Sequence, residues 1–219
     1  MKNIIYIIFI ISFLVPNNKP NSGLFSISRI HYGGGGDWYA NPSSIPNLLE
    51  FISNNTSISV QKNENQVKVG DDVFYKNNFF YITGHGNLVF TEEEIIILRE
   101  HLLSGAFLHV DDNYGLDKSF RKVVSQIFPD KDLVELPTNH ELFNCYYTLP
   151  EGLPKIHEHD NKPPQALGIF HNKKLILLYT YESDLGDGWE DENVHNDPNH
   201  VRQKALKMGT NIVIYSIIQ

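Results

Sequence analysis

Cysteine is almost absent from the 219-residue sequence, since Cys145 is the only one. An internal disulfide is therefore impossible, and the cysteine content does not reveal the compartment. Basic residues are also scarce: 18 Lys and Arg stand against 26 Asp and Glu, giving a formal net charge of -8. Binding to a nucleic-acid backbone requires a basic face. We therefore expect no nucleic-acid partner.

Long apolar runs are missing as well. The run from Ile4 to Val15 spans 12 residues and is interrupted by Ser12, so it is too short to cross a bilayer comfortably as a helix. Lys2 precedes it and polar, Pro-containing sequence follows, as in a secretory signal peptide. We interpret residues 1–23 as a signal peptide or membrane tether of a protein exported to the periplasm or cell envelope; an N-terminal core strand is the alternative. Residues 24–219 then form one domain.

Apolar runs alternate with amphipathic segments along the rest of the chain, at spacings that suit right-handed crossovers. The pattern predicts an α/β sandwich with a mainly parallel sheet. Strands are expected in "FSISRIHY", "SISVQ", "FFYITG", "AFLHVDD" and "LVELP", two more in "QALGIFHNKKLILLYTYE", helices in "PSSIPNLLEFISNNT", "TEEEIIILREHLLSG" and "LDKSFRKVVSQIF", and a helix followed by a terminal strand in "PNHVRQKALKMGTNIVIYSII".

Four unusual segments each leave a predicted strand at its carboxyl end: "GGGGDWY", "GHGN", "DDNYG" and the acidic stretch that begins at Tyr181. Ligands of open α/β sheets bind at this edge. We therefore expect the four segments to rim a cleft.

The glycine run Gly33–Gly36 lacks the lysine of a phosphate-binding loop, so it is a weak nucleotide signal. A tight turn that allows close backbone approach is the favoured interpretation. Asp37, Trp38 and Tyr39 are then the functional part of this loop, with Gly34 and Gly35 kept as candidate ligand-binding positions.

His85 stands between two glycines in "TGHG", where it could act as an acid, a base or a metal ligand, or be a buried structural histidine. Asp111 and Asp112 are adjacent at a strand end and so point to opposite faces. One of them is expected to be structural, for example as a helix cap. The catalytic candidates are His85, Asp111, Asp112 and Glu182.

The stretch "YESDLGDGWEDENVHNDP" (residues 181–198) carries seven acids and no Lys or Arg. It lacks the ligand spacing of an EF-hand, and the chain has no H-E-x-x-H motif, because "HEHD" has the wrong spacing. An irregular divalent-cation site or a solvated loop remains open, and Trp189 is unusual for a solvated loop. The cation candidates are Glu182, Asp184, Asp187, Asp191 and His195.

The motifs together resemble a known bacterial family, the domain of unknown function 4159. The resemblance rests on "YGGGGDWY", "YITGHGNLVFTEEE", "LREHLLSGAFLHVDDNYG", "ELPTNHELF" and "YESDLGDGWEDENVHNDP", in this order. That family is grouped by fold with class I glutamine amidotransferase-like proteins, which implies a flavodoxin-like three-layer sandwich. Those enzymes carry a nucleophilic Cys in a G-x-C-x-G elbow. Here the comparable strand end is "AFLHVDDNYG", so cysteine-based glutamine hydrolysis is not expected, and Cys145 is interpreted as a packing residue.

Three functions remain open. The first is a ligand-binding domain for a sugar or peptide, with Trp38, Tyr39, Tyr114, Asp184, Asp187, Trp189 and His195 among the ligand-binding candidates. The second is a metal-assisted or acid–base hydrolase. The third is a structural subunit of a cell-envelope complex with a protein partner. We expect residues 182–191 to fold over the strand ends and to bring Trp189 and at least two acids within reach of His85 or Asp112. We also expect a cation to stabilise the fold, and Asp187→Asn and Asp191→Asn to relieve repulsion in the metal-free protein and to abolish the cation response.

Overall fold

The computed structural model of the protein describes residues 23–219, so the predicted export segment lies outside the described residues except for Gly23. A seven-stranded sheet with the order β2-β1-β3-β4-β7-β6-β5 forms its centre. The strands are β1 (Ser28–Ile30), β2 (Asn65–Val67), β3 (Phe79–Ile82), β4 (Phe107–Asp111), β5 (Val134–Glu135), β6 (Gln165–His171) and β7 (Lys174–Tyr181).

The sheet is mostly parallel, as the alternating pattern predicts. β2, β1, β3, β4 and β7 run parallel, whereas β6 pairs antiparallel with both β7 and β5. An antiparallel edge on an otherwise parallel sheet is common in α/β folds. The carboxyl ends of the parallel strands therefore lie at one edge of the sheet.

Helices cover both faces of the sheet. Side chains of α2 and α3 pack against one face, and those of α1, α4 and α6 pack against the other. Residues such as Phe80 and Tyr81, neighbours on β3, belong to opposite cores, because successive strand residues point to opposite faces. The helices are α1 (Ser44–Asn55), α2 (Glu92–Leu103), α3 (Asp117–Ile127), α4 (Leu185–Trp189), α5 (Glu192–His195) and α6 (Asn199–Ile218).

Helix α2 shows how local sequence sets the element boundaries. Thr91 accepts a hydrogen bond from the Glu94 backbone, and the Glu94 side chain accepts one from the Thr91 backbone. This is the predicted capping box, which satisfies two donors at the first turn. Gly105, at φ +117°, follows the helix and allows the chain to turn into β4.

Two element predictions are wrong. "SISVQ" contributes only a single bridge between Val60 and Phe25. The predicted terminal strand is instead the second half of α6, which continues unbroken to Ile218. Residues 208–215 are all buried, so the β-branched run occupies a helix enclosed by other elements. Burial on all sides removes the periodicity that would identify the helix, and tertiary packing overrides the weak propensity of Ile and Val.

Among the helices formed by residues 23–219, none has the length and apolar character needed to span a bilayer.

Candidate functional site

The acidic stretch turns sharply where β7 ends. Glu182 and Asp184 adopt left-handed backbone conformations, at φ +55° and +58°. Such conformations cost non-glycine residues about 1–3 kcal/mol and persist only where surrounding contacts impose them. Asp111 supplies these contacts at the end of β4, because its carboxylate accepts the backbone N–H groups of Leu185 (3.3 Å) and Gly186 (2.7 Å). The stretch therefore folds over the strand ends, as expected.

Several of its side chains are anchors rather than site residues. Trp189 is 1% exposed and donates its indole N–H to the Ala205 carbonyl at 2.8 Å. It therefore packs in the core and does not line a groove, contrary to its assignment as a ligand-binding ring. Glu190 accepts the Ser43 backbone N–H at 2.9 Å, and Asp191 accepts from Asn47 at 2.9 Å. These contacts attach the stretch to α1 and α6.

A cluster of imidazoles and a carboxylate forms beside these anchors. His157, Asp187 and His195 each offer one ligand atom, and the three atoms lie within 4.8 Å of one another. The Asp187 Oδ2 is 2.8 Å from His157 Nδ1 and 3.8 Å from His195 Nε2. We call these three residues the His–Asp–His cluster.

The remaining polar atoms of the cluster are held by neighbours. Asp187 Oδ1 accepts the side-chain amides of Asn41 (2.7 Å) and Asn113 (2.9 Å). His157 Nε2 faces the carboxylate of Asp197 at 3.1 Å. Asp187 Oδ2 and His157 Nδ1 are thereby left to hydrogen-bond each other at 2.8 Å. Outer contacts of this kind orient metal ligands and fix the histidine tautomer.

The hydrogen bonds of the cluster shift the pKa values of His157 and Asp187. The hydrogen bond to Asp187 raises the pKa of His157 to about 9, against the lowering effect of burial. Burial alone would raise the pKa of Asp187, but the hydrogen bond from His157 and the donors around it hold that pKa below its usual range. Within the described structure, His157 thus supplies positive charge to the cluster.

Asp184 lies next to the cluster and is 1% exposed. One carboxylate oxygen contacts His159 Nε2 and is 3.7 Å from His157 Nδ1. Burial first, and then the negative charge of Asp187, raise the pKa of Asp184 to about 8. Its carboxyl group therefore remains largely protonated at pH 7.

An open groove of ≈ 400 Å³ adjoins His159. The ring of Tyr114 stacks on His159, with 4.6 Å between the ring centroids, and Tyr114 is 51% exposed. His159 therefore connects the groove to Asp184 and the cluster. The other lining residues are Asp112, Gly115, Asp117, Lys118, Asp160, Lys162, Tyr181 and Glu182.

The other predicted site residues at the sheet edge make structural contacts. Asp112, though it lines the groove, accepts the Leu116 backbone N–H at 2.9 Å, near the start of α3, and the Tyr179 hydroxyl at 3.1 Å. Glu182 is buried in an ion pair with Lys155 at 3.0 Å. Asp111, buried beneath α4, anchors the acidic stretch. Burial raises the pKa of both Asp111 and Asp112.

His85 does not join the cluster. Its ring is 3.0 Å from the carboxylate of Asp37. Trp38, next in the chain, stacks on His31, and Tyr39 is 63% exposed. Of the predicted approach of Trp189 and two acids to His85 or Asp112, only that of Glu182 is seen, since it lines the same groove as Asp112. Trp189 packs against Ala205, Tyr81 and His109 instead, and the side chain of His85 contacts Asp37.

The glycine run brings two backbone segments together. Gly33 and Val89 exchange two backbone hydrogen bonds, and Gly36 donates to the Asn87 carbonyl at 3.0 Å. A Cβ on Gly34, which has φ +101°, would lie 2.9 Å from the Asn87 carbonyl. This is the close backbone approach that favours a structural role for the run. Gly35 has a positive φ of 84°, and a Cβ added there would have no atom beyond its chain neighbours within 4 Å.

Sequence reasoning missed the contribution of His157 and His159. Both lie in the irregular segment before β6, and their i, i+2 spacing fails the helical metal motif. Two histidines two residues apart in a Pro-flanked, non-helical segment were the available signal. Asn41 and Asn113 carried no signal, because amides that orient a carboxylate are recognised only once the fold brings them together.

The comparisons with known proteins identify the family. The family model described as "Domain of unknown function (DUF4159)" matches residues 26–217, nearly the whole described chain. The chain therefore belongs to this family. No curated protein matches the sequence significantly.

Proposed function

We propose that the domain is a metal-assisted hydrolase that binds a divalent transition-metal ion at His157, Asp187 and His195. The convergence of three ligand atoms within 4.8 Å carries this proposal. The ordered partners of Asp187 and His157 support it, since they occupy Asp187 Oδ1 and His157 Nε2 and leave Asp187 Oδ2 and His157 Nδ1 as the candidate ligand atoms beside His195 Nε2.

The donor types indicate the class of ion. Imidazole and carboxylate ligands suit zinc and similar transition metals, whereas Ca²⁺ and Mg²⁺ prefer oxygen ligands alone. Catalytic zinc sites typically have three protein ligands and keep a further position for water or substrate. An ion in this position would lower the pKa of a bound water and polarise a carbonyl or phosphoryl oxygen. Two imidazoles and one carboxylate match that pattern.

The adjoining groove suits a ligand that has a flat face with polar groups at its edge, such as a sugar or a peptide. Tyr114 presents an exposed ring backed by His159, and charged groups of both signs, including Lys118 and Asp160, surround it. Rings stack on such ligands while charged groups accept and donate hydrogen bonds. Ligand binding without catalysis is the second candidate function, and it rests on this platform.

Thiol chemistry lacks support from the contacts of Cys145. Its Sγ lies 3.4 Å from the Asn211 carbonyl, and burial raises its pKa to about 11. A thiolate would be needed for nucleophilic attack.

Metal titration of the purified, chelator-treated protein tests the proposal. Calorimetry with Zn²⁺ and the visible absorption of bound Co²⁺ should both report a site, and His195→Gln should weaken it at least tenfold. His200→Gln is the matched control, because His200 lies on α6 outside the cluster. Zn²⁺ affinity that is equal in the wild type and His195→Gln would contradict the proposal.

A further inference from the structure

We propose that Arg29 is a positioning residue for the metal site: it fixes the loop that carries Asn41, and Asn41 in turn holds the Asp187 carboxylate. This inference rests on the proposed function, because Asp187 is a ligand of the proposed ion. Asp187 Oδ1 accepts the side-chain amide of Asn41 at 2.7 Å, so the place of Asn41 helps to set the direction in which Oδ2 faces.

The burial of Arg29 is the first observation. Arg29 lies in the middle of β1 and is 1% exposed. A guanidinium stays charged in proteins, and charged side chains are almost never fully buried unless they are paired. Its Nε lies 2.9 and 3.0 Å from the two carboxylate oxygens of Glu64. This ion pair balances the charge and leaves the two terminal nitrogens for other acceptors.

The terminal nitrogens hold the loop that follows the glycine run. Nη1 of Arg29 donates to the Ala40 carbonyl at 2.7 Å, and Nη2 donates to the Asn41 carbonyl at 3.1 Å. Residues 37–43 form turns rather than helix or strand, so side chains must supply part of the backbone hydrogen bonding here. The planar fork of the guanidinium fixes two successive carbonyls relative to β1.

Asn41 occupies a position in which a small shift of the loop would matter. Its backbone is left-handed at φ +57°, and the residue is 9% exposed. A Cβ on Gly186 would lie 2.7 Å from the Asn41 Nδ2 atom, so the backbone of α4 packs directly against the amide. The same Nδ2 is 3.3 Å from Asn113 Oδ1. The amide is therefore enclosed on the side of α4, and a displaced loop would withdraw it from Asp187.

Arg29→Lys tests the proposal. Lysine keeps the positive charge but offers one nitrogen in place of the fork, so it cannot hold Glu64 and both loop carbonyls together. Zn²⁺ affinity measured by calorimetry should fall by about tenfold or more. The visible absorption bands of bound Co²⁺, which report the ligand geometry, should also shift, whereas a merely structural role would leave these bands in place.

Arg99→Lys is the matched control. Arg99 likewise donates to a backbone carbonyl, that of Ile127 at 2.6 Å, and to a carboxylate, that of Asp130 at 2.8 Å. These contacts join α2 to the end of α3 and involve no residue of the cluster. The control should therefore keep the wild-type Zn²⁺ affinity and Co²⁺ spectrum.

A double variant tests whether Arg29 acts through Asn41. Asn41→Gly removes the amide, while glycine readily keeps the left-handed backbone, and this change alone should weaken Zn²⁺ binding by about tenfold or more. Adding Arg29→Lys should then weaken binding by less than about twofold, because residues that act through one another are not additive. If circular dichroism shows that Arg29→Lys does not fold, Glu64→Gln replaces it in the same comparison.

Nuclear magnetic resonance of the metal-free protein supplies a measurement that needs no ion. The side-chain amide of Asn41 should exchange slowly with solvent in the wild type and in Arg99→Lys. In Arg29→Lys it should exchange faster, because the loop no longer holds it against Asp187.

The outcomes separate this inference from the proposed function. Wild-type Zn²⁺ affinity in Arg29→Lys would overturn the positioning role, as would additive losses in the double variant or an equal loss in Arg99→Lys. If the wild type binds neither Zn²⁺ nor Co²⁺, the proposed function fails. Amide exchange of Asn41 then still decides whether Arg29 positions it, and unchanged exchange in Arg29→Lys would refute this.

Discussion

Replacing Asp187 with Asn separates the roles of this carboxylate in the metal-free and metal-bound protein. From sequence, crowding of acids predicts that Asp187→Asn relieves repulsion and stabilises the metal-free fold. The structure reverses this expectation, because Asn41, Asn113 and His157 surround the carboxylate with hydrogen-bond donors. We therefore expect Asp187→Asn to destabilise the metal-free protein.

The magnitude follows from the bonds that the change removes. The amide oxygen of the introduced asparagine can replace Oδ1 and keep both amide donors, so the main loss is the bond between Asp187 and His157 at 2.8 Å. A hydrogen bond between charged groups contributes about 1.5–3 kcal/mol. For a domain of this size, a loss of about 2 kcal/mol lowers the melting temperature by about 4–8 °C.

Bound metal should increase the difference in stability between the wild type and Asp187→Asn. An ion present at a hundredfold excess over its Kd stabilises a folded protein by about 2.7 kcal/mol, and the variant should lack most of this gain. Differential scanning fluorimetry with a chelator and then with Zn²⁺ measures both effects. Asp191→Asn is the control, because Asp191 accepts from Asn47 at an exposed position and should change the stability by less than about 0.5 kcal/mol.

If metal-free Asp187→Asn is at least as stable as the wild type, hydrogen-bond donors do not outweigh the repulsion between acids around Asp187, and the reasoning is refuted. An unchanged Zn²⁺ response would refute the assignment of Asp187 as a ligand. Loss of the Zn²⁺ response in Asp191→Asn as well would show that the whole acidic stretch binds the ion diffusely.

Three further predictions test other parts of the structure. Asn113→Ala should weaken Zn²⁺ binding about 10–100-fold in calorimetry, because Asp187 loses an orienting amide. Burial lowers the pKa of His109 to about 3, so the stability contributed by its neutral form is complete above pH 6.5 and is lost as the pH falls towards 3. Urea unfolding should show this slope, at most about 1.4 kcal/mol per pH unit, reduced in His109→Gln. Cys145→Ser should leave the melting temperature within a few degrees and Zn²⁺ binding unchanged, and rapid alkylation of Cys145 at pH 7 would contradict its raised pKa.

The elements that the sequence predicts well are those with one strong local signal. The capping box of Thr91 and the apolar runs of β3 and β4 determine local structure from neighbouring residues alone. The second half of α6 has no such signal, because its burial on several sides comes from the fold. The convergence of loops at the carboxyl edge was predictable from strand direction.

The composition of the site was only partly predictable. Asp184, Asp187 and His195 stand in one conspicuous stretch, so their proximity follows from the sequence. The roles of the individual residues in that stretch do not follow from the sequence. Trp189 and Glu190 are residue types that also occur in ligand sites, but here they contact α6 and α1 and anchor the stretch. Burial and partner identity distinguish these roles, and both depend on the tertiary structure.

His157 reaches the cluster because the irregular segment before it is fastened to the acidic stretch. The Ile156 backbone N–H donates to the Ser183 carbonyl at 2.8 Å, and the Ser183 hydroxyl donates to the Pro154 carbonyl at 2.6 Å. Lys155 adds an ion pair with the buried Glu182 at 3.0 Å. These contacts all involve the residues that immediately precede His157, so they fix its position before any ion binds.

This attachment explains why a segment without helix or strand can contribute to a geometrically demanding site. A loop held only by its ends would lose conformational entropy when it coordinates an ion, which would weaken binding. Here folding has already ordered residues 154–156 against residues 182–183. The left-handed conformations of Glu182 and Asp184 direct one side chain to Lys155 and the other to the histidines. The acids of this stretch thus differ in function by position: Glu182 fastens the loop that carries His157, and Asp184 and Asp187 face the imidazoles that the loop delivers.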